Sequence, residues 1–292
     1  LLWLLNALAD QTFDRPWEVV VVHDYDAATA ARIFDDHPLA HDGILRHLPI
    51  GPGTGASQKR NLGWREARAP LVAFTDDDCT PAPGWLEGLL AAAGERVVVQ
   101  GRIAPRPDQR GALGPLSHTL DVRGPNRLFF TANIAYPREL LAELDGFDEW
   151  FRRACGEDVE LGARATKAGA DVRFVPDALV HHEVRALTLR EHLRQTAKWS
   201  DAARALRLHP EWRSELVASV FWKPSHPRLL LAAAGLVTRR PVLGLPYLLH
   251  LRRLYGGDLR AAARAAPVHL VVDAAEVATM AVASARHRTL IL

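Results

Sequence analysis

Three consecutive carboxylates, Asp76-Asp77-Asp78, follow directly on the apolar run Leu71-Val72-Ala73-Phe74 and are closed by Cys79-Thr80-Pro81. Like charges side by side repel one another, and each costs desolvation wherever it is not hydrated. A chain that puts three of them at the end of a buried strand has a use for a cation there. Hard divalent ions such as Mg²⁺ and Mn²⁺ take oxygen ligands and share them with substrate phosphates. The plainer alternative is an acidic loop at a strand end. A second acidic pair, Glu157-Asp158, follows Gly156 where a helical pattern begins. Acids there complement the helix dipole, and a carboxylate within reach of a hydroxyl is also a general base. Asp24 closes the run Val19–His23, and His181-His182 close another strand-like segment. A histidine at a strand end is more often structural or exposed than a ligand.

These groups need a scaffold, and the hydropathy pattern describes one. Residues 1–9 read as a helix too short to span a bilayer. Residues 18–24 are a β-branched run of the kind found in buried parallel strands. A helix is expected over 27–37, a strand over 44–50, a Gly-rich loop over 51–55 and a helix over 57–69 with Ser57 as N-cap. A strand over 71–74 then leads into the acid triplet. Further on, the pattern predicts a helix over 85–93, a strand over 96–101, a long loop over 102–127 and a strand over 129–136. Helices over 138–144 and 157–168 follow, with a short strand over 172–175. Strand and helix alternating at this spacing predict an α/β fold with a doubly wound, mostly parallel, Rossmann-like sheet. Such sheets bind ligands at the carboxyl ends of their strands, where Asp24 and Asp76–Asp78 fall. A right-handed crossover also implies a strand before the first helix, so the chain is read as lacking its native start.

With 292 residues, 48% of them hydrophobic, the chain can bury one substantial core and carry an appendage. Its two cysteines are far apart, which argues against a disulfide framework and points to a reducing, cytoplasmic compartment. The net charge of +2 conceals an asymmetry: residues 1–184 hold 19 Lys/Arg against 27 Asp/Glu, whereas residues 185–292 hold 17 against 7. The basic half is helical in pattern, and no run in it reaches about 18 uninterrupted apolar residues. Its helices read either as amphipathic elements lying on an anionic membrane surface or as helices packed on the preceding domain. Nucleic-acid binding is not expected, because no aromatic platform or base-reading motif accompanies the basic residues.

Taken in order, the motifs resemble glycosyltransferase family 2, the inverting enzymes with a GT-A fold. The likeness covers residues 1–205, leaving 206–292 as a helical C-terminal region. It rests on Val19–Asp24, on Lys59-Arg60-Asn61-Leu62-Gly63, on Thr75-Asp76-Asp77-Asp78, and on Gly156-Glu157-Asp158 followed by Val180-His181-His182. The resemblance implies that Asp24, Arg60, Asn61, Asp76 and Asp77 bind a nucleoside diphosphate sugar. By the same likeness Asp78 and His182 hold a divalent cation, Mn²⁺ or Mg²⁺, and Asp158, supported by Glu157, is the catalytic base. Asn133 and Glu157 would contact the acceptor, a hydroxyl on a lipid-linked, peptide or small molecule. The expected activity is transfer of a sugar with inversion, at the cytoplasmic membrane face. A nucleotidyltransferase and a non-catalytic, membrane-associated relative are the alternatives.

Overall fold

A computed structural model describes all 292 residues and divides the chain into two compact units. Unit 1 comprises residues 1–112 and 118–185, and unit 2 comprises residues 113–117 and 186–292. The second unit thus begins ahead of the 205/206 boundary read from the sequence. The physical reason is that helices 189–196 and 202–208 bury their inner faces against the long C-terminal helix.

Unit 1 opens with α1 (Leu2–Ala9), β1 (Val19–His23), α2 (Ala27–Phe34), α3 (Pro38–His41) and β2 (Leu45–Pro49). β1 and β2 pair in parallel, with Val19 opposite Leu45. The helix expected over 27–37 is two short ones, because His37 caps the amide of Leu39 and Pro38 restarts the chain. α4 (Ala56–Glu66) leads to β3 (Leu71–Phe74), β4 (Cys79–Pro81), α5 (Trp85–Ala91) and β5 (Val97–Pro105). After a 3₁₀ turn come β6 (Ile134–Pro137), α6 (Arg138–Glu143), α7 (Glu157–Lys167) and β7 (Asp171–His182).

Five of these strands form one sheet in the order β3-β6-β5-β7-β4. The α/β class expected from the sequence holds, but the sheet is mixed rather than mostly parallel. β6 runs antiparallel to both β3 and β5, β4 runs antiparallel to β7, and only β5 and β7 are parallel. Strand sense follows from connections: the turn at Asp76–Asp78 sends the chain back as β4, which no helical crossover separates from β3. Leu5, Phe34, Leu89, Val99, Ile103 and Val180 belong to one buried cluster, and Phe74, Ile134, Tyr136, Leu141, Phe147 and Leu161 to another.

β7 is far longer than the short strand expected over 172–175. Pro176 and Asp177 interrupt the pattern, and the ladder absorbs them in a bulge: Gly101 lies opposite Val175, but Arg102 lies opposite Leu179. Asn133 fills the gap. Its Nδ2 donates to the carbonyls of Arg102 (2.8 Å) and Ala178 (2.7 Å), and its Oδ1 accepts from Trp85 Nε1 (2.8 Å). A Cβ on Gly101 would lie 2.3 Å from the Asn133 amide, so a side chain there is excluded. The strand expected over 129–136 shortens to β6 because Phe129 sits at φ 51°, a left-handed conformation incompatible with strand.

Unit 2 contains α8 (Leu189–Thr196), α9 (Ala202–Leu208), α10 (Ser225–Val237), α11 (Leu245–Leu254) and α12 (Leu259–His287). α12 continues through Pro267 for 29 residues and is, by length and composition, apolar enough to cross a membrane. The sequence pattern, broken by His269, Asp273 and Glu276, does not predict such a helix.

Asn133→Ala is expected to lower stability by about 3 kcal/mol, since it leaves two carbonyls and an indole N–H buried without partners. Asn133→Asp is expected to be worse, because it sets a carboxylate against the same two carbonyls. Urea unfolding followed by tryptophan fluorescence measures both.

Candidate active site

The turn between β3 and β4 carries the acid triplet, and sheet register decides what faces it. Cys79, at the start of β4, pairs with His182, at the end of β7. Asp78 and His182 are therefore neighbours although a hundred residues separate them: His182 Nε2 lies 3.6 Å from Asp78 Oδ1. His182 Nδ1 is 2.9 Å from the carbonyl of Glu183. A carbonyl only accepts, so Nδ1 carries the proton in the neutral ring and Nε2 presents a lone pair. Asp78 Oδ1 is buried and has no hydrogen-bond partner. Burial pushes the Asp78 carboxyl up, His182 draws it down, and Asp76 and Asp77 add to the rise. Residues so arranged fit a divalent cation: an oxygen and an imidazole nitrogen, both unclaimed, on one side of a charged turn. Cys79 Sγ also lies within reach. Burial, with Asp76 and Asp78 beside it, drives that thiol far above its usual range, and a protonated thiol is a poor ligand for a hard ion.

α7 delivers the second acidic pair. It starts at Gly156, which sits at φ 95° and so admits no side chain without strain. Further along, Gly162 lies against the Phe129 ring so closely that a Cβ would fall 2.1 Å from it. Glycine at 162 thus lets α7 approach the turn that precedes β6. Glu157 is buried, with Oε1 held by Arg60 and Oε2 lacking any partner. Asp158 is half-buried, and its Oδ1 accepts from the amide of Val159 at 2.8 Å. Burial first and then the neighbouring Glu157 hold the Asp158 carboxyl well above the ordinary aspartate range, against the pull of Arg60.

Arg60, on α4, joins the two halves. Its guanidinium donates to Glu157 Oε1 at 2.6 Å and to Asp76 Oδ1 at 3.1 Å. Burial works against its charge, but Asp76 and Glu157 outweigh that effect, so the group stays protonated. The residue before it on α4, Lys59, binds Asp24 Oδ1 through Nζ at 2.8 Å and keeps that carboxyl below its usual range. Asp77 is exposed beside them. Asp24, Lys59, Arg60, Asp76, Asp78, Glu157, Asp158 and His182 all belong to unit 1.

Three sequence expectations change. Ser57 does not cap α4: it lies inside the helix, buried, and its hydroxyl donates to the Phe151 carbonyl at 2.7 Å. Asn61 is not free for a nucleotide. Its Nδ2 donates to the Phe147 carbonyl and to Glu149, and its Oδ1 accepts from Trp64 Nε1 and the Phe147 amide. That exhausts its donor and acceptor capacity. Asn133 is buried at the β5–β7 bulge with both of its amide donors used there, so it has no N–H left to offer an acceptor. The sequence reading missed the Arg60–Glu157 bridge and the fork of Arg164 on Glu160, which also reaches the carbonyls of Leu144 and Gly146. A long-range pair leaves no local trace; the only signal was an arginine predicted to face a site rich in acids.

With its mixed sheet and helices so arranged, the chain has the α/β fold of GT-A glycosyltransferases. Residues 1–155 match the profile of Glycosyl transferase family 2, and the chain belongs to that family. It is 32% identical over 221 residues to the pre-mycofactocin glycosyltransferase of Mycobacterium tuberculosis, a match covering 70% of this chain and 46% of that protein. The chain thus spans about half the length of that relative. Among solved structures it is similar to the mannosyltransferase PcManGT from Pyrobaculum calidifontis in complex with GDP-Man and Mn²⁺. That likeness has a TM-score of 0.57 at 19% identity and covers 94% of this chain and 80% of that one. S. aureus TarS 1–349 in complex with UDP-GlcNAc gives 0.50 at 17% identity, covering 98% and 87%.

Arg60→Gln is expected to destabilise the fold by about 3 kcal/mol, because the Glu157 carboxylate is left buried without its cation. Arg60→Lys is expected to recover only part of that, since a point charge cannot serve both carboxylates in one plane. Urea midpoints for the three proteins test the bridge.

Proposed function

We propose that this chain is an inverting, metal-dependent glycosyltransferase that moves a hexosyl group from a nucleoside diphosphate sugar to an acceptor hydroxyl. The observation that carries it is the Arg60 bridge, which ties the acid triplet to the Glu157-Asp158 helix. A cation-binding side and a base-bearing side thereby face one reacting centre. The donor-bearing structures of PcManGT and TarS, with GDP-Man and UDP-GlcNAc, support a donor of that class. Asp24 and Asp77 would bind the nucleoside side of the donor, with Asp76 held in place by Arg60. Asp78 and His182 would hold a divalent cation, Mn²⁺ or Mg²⁺; when bound, it supplies positive charge to the departing diphosphate.

Asp158 takes the proton from the acceptor hydroxyl, and the hydroxyl oxygen attacks the anomeric carbon as the bond to the diphosphate oxygen breaks. One displacement leaves the anomeric centre inverted. A raised carboxyl suits the base, since proton transfer is most effective when the base titrates near the working pH. The unclaimed Oε2 of Glu157 is available to accept a second acceptor hydroxyl. Arg60 acts as a positioning residue, orienting Asp76 and Glu157. We place the protein peripherally at the cytoplasmic membrane face, a location supported by the basic, apolar C-terminal half.

The test is nucleoside diphosphate release by the full chain incubated with UDP-, GDP- and dTDP-sugars and Mn²⁺. Asp158→Asn is expected to reduce turnover by about 10³-fold with the circular dichroism unchanged. Normal turnover by this variant would sink the assignment of the base, and pyrophosphate as the product would point to nucleotidyl transfer instead.

The pH dependence has a definite sign. Activity requires ionised Asp158, so kcat/KM is expected to fall on the acid side at a pH well above the ordinary aspartate range. The native state binds this proton more tightly than the unfolded chain does. Its contribution to stability is therefore present below the unfolded value and is lost as pH rises through the raised one. Asp158→Asn, which cannot ionise, is expected to unfold at a higher urea concentration than the wild type at neutral pH.

A further inference from the structure

Unit 2 carries a surface for which the transfer chemistry has no use. α10 and α11 form a tight hairpin: the amide of Arg240 donates to the Gly235 carbonyl at 2.8 Å, and Arg239 turns the chain at φ 55°. Gly235 lets the turn close, because a Cβ there would lie 2.8 Å from the Arg240 carbonyl oxygen. At the tip, Leu236 and Val237 are 82% and 85% exposed and Val242 is 68% exposed. Leu245, Leu248 and Leu249 continue the exposed apolar face along α11. The inner faces of α11 and α12 close a small core around Tyr247, Leu251 and Ala262. An apolar surface of this kind, flanked by polar residues, marks a binding face.

Charge identifies the partner. From Leu216 to Gly257 the chain has no Asp or Glu, but it has Lys223, Arg228, Arg239, Arg240, Arg252 and Arg253. The last four are exposed, and none has a carboxylate within 4.0 Å. Exposed leucines between unpaired arginines match the boundary of a bilayer with anionic headgroups, where the aliphatic side chains enter the acyl region and the guanidinium groups meet phosphate.

The hairpin is held on a rigid base. On α12, Asp273 accepts from Ser225 (2.9 Å) and Tyr247 (2.8 Å), and Glu276 accepts from Lys223 (2.6 Å) and His226 (3.0 Å). Burial acts to raise the Glu276 carboxyl, but His192, His226 and Lys223 prevail and bring it down to about 2, so it stays charged. The polar face of α12 is thus consumed inside the bundle, and α10 and α11, at 13 and 10 residues, are shorter than the roughly 20 needed to span a bilayer.

We infer that the α10–α11 hairpin tip, residues 236–249, is a monotopic docking surface for anionic phospholipid. This deepens the peripheral location proposed above and rests on it, and vesicle binding needs no donor sugar, so its failure leaves the transferase reading standing. The full chain is to be sedimented with phosphatidylcholine vesicles with and without phosphatidylglycerol. Binding is expected only when phosphatidylglycerol is present, and to weaken with salt. Arg239→Glu/Arg240→Glu and, separately, Leu236→Asp/Val237→Asp are each expected to weaken it roughly tenfold or more. Leu208→Ser, at an exposed leucine outside the hairpin, should bind like the wild type. The inference is overturned if neither vesicle is bound, or if both hairpin variants bind as the wild type does. It is also overturned if the chain elutes as a dimer that Leu236→Asp/Val237→Asp converts to monomer without any vesicle binding, which would assign the surface to a second copy.

Discussion

Arg60 is the cation that two acidic elements share, and much of the site depends on that sharing. The turn after β3 and the first turn of α7 each carry carboxylates that would repel one another across the same cleft. A guanidinium between them is planar, permanently charged and able to serve both at once. Without it Glu157, which is buried, would hold a charge that no other donor answers. Burying an ion pair is a weak way to add stability, so the bridge is better understood as specifying geometry. It fixes where the Asp76–Asp78 turn lies relative to the start of α7, and it does so from α4, the same helix whose Lys59 holds Asp24.

The sheet performs the corresponding task for the other half of the site. Asp78 and His182 meet because β4 folds back along β7 with Cys79 opposite His182. That register holds only if the bulge at Pro176–Ala178 is kept, since removing it would slide His182 past β4. Asn133, tied by three buried hydrogen bonds, is what keeps it. A residue that looks like part of the ligand site thus acts one step behind it, on the strand that carries the histidine.

This is also where the sequence is and is not legible. Strands β1, β2 and β3, the acid triplet and the start of α7 are each written in a few adjacent residues, and their order alone carries the family resemblance. The mixed strand order is not so written, because direction depends on pairings between segments far apart. Asn61 and Asn133 are misread for the same reason. Apart from Trp64, three residues on, the partners of Asn61 lie 86 and 88 residues away, and those of Asn133 lie 31, 45 and 48 away. An asparagine stitching a turn and one touching a sugar are indistinguishable until those partners are in view. The cap lies two residues ahead of Ser57, at Gly55, where the close approach of Arg152 leaves no room for a side chain.

The first turn of α7 departs from ordinary helix-start chemistry. Acids at a helix start are usually stabilised as anions by the dipole and by free amides, which should lower their pKa. Asp158 behaves in the opposite way: it has one such amide, from Val159, yet burial and Glu157 prevail. The neighbouring Glu157 leaves one oxygen without a partner, as does Asp78 across the cleft. Buried polar atoms in a folded chain are ordinarily paired, and a fold that merely needed a stable helix start would pair these. Unmet electrostatic demand gathered on both sides of one arginine is the mark of residues kept for something other than the stability of the chain that bears them.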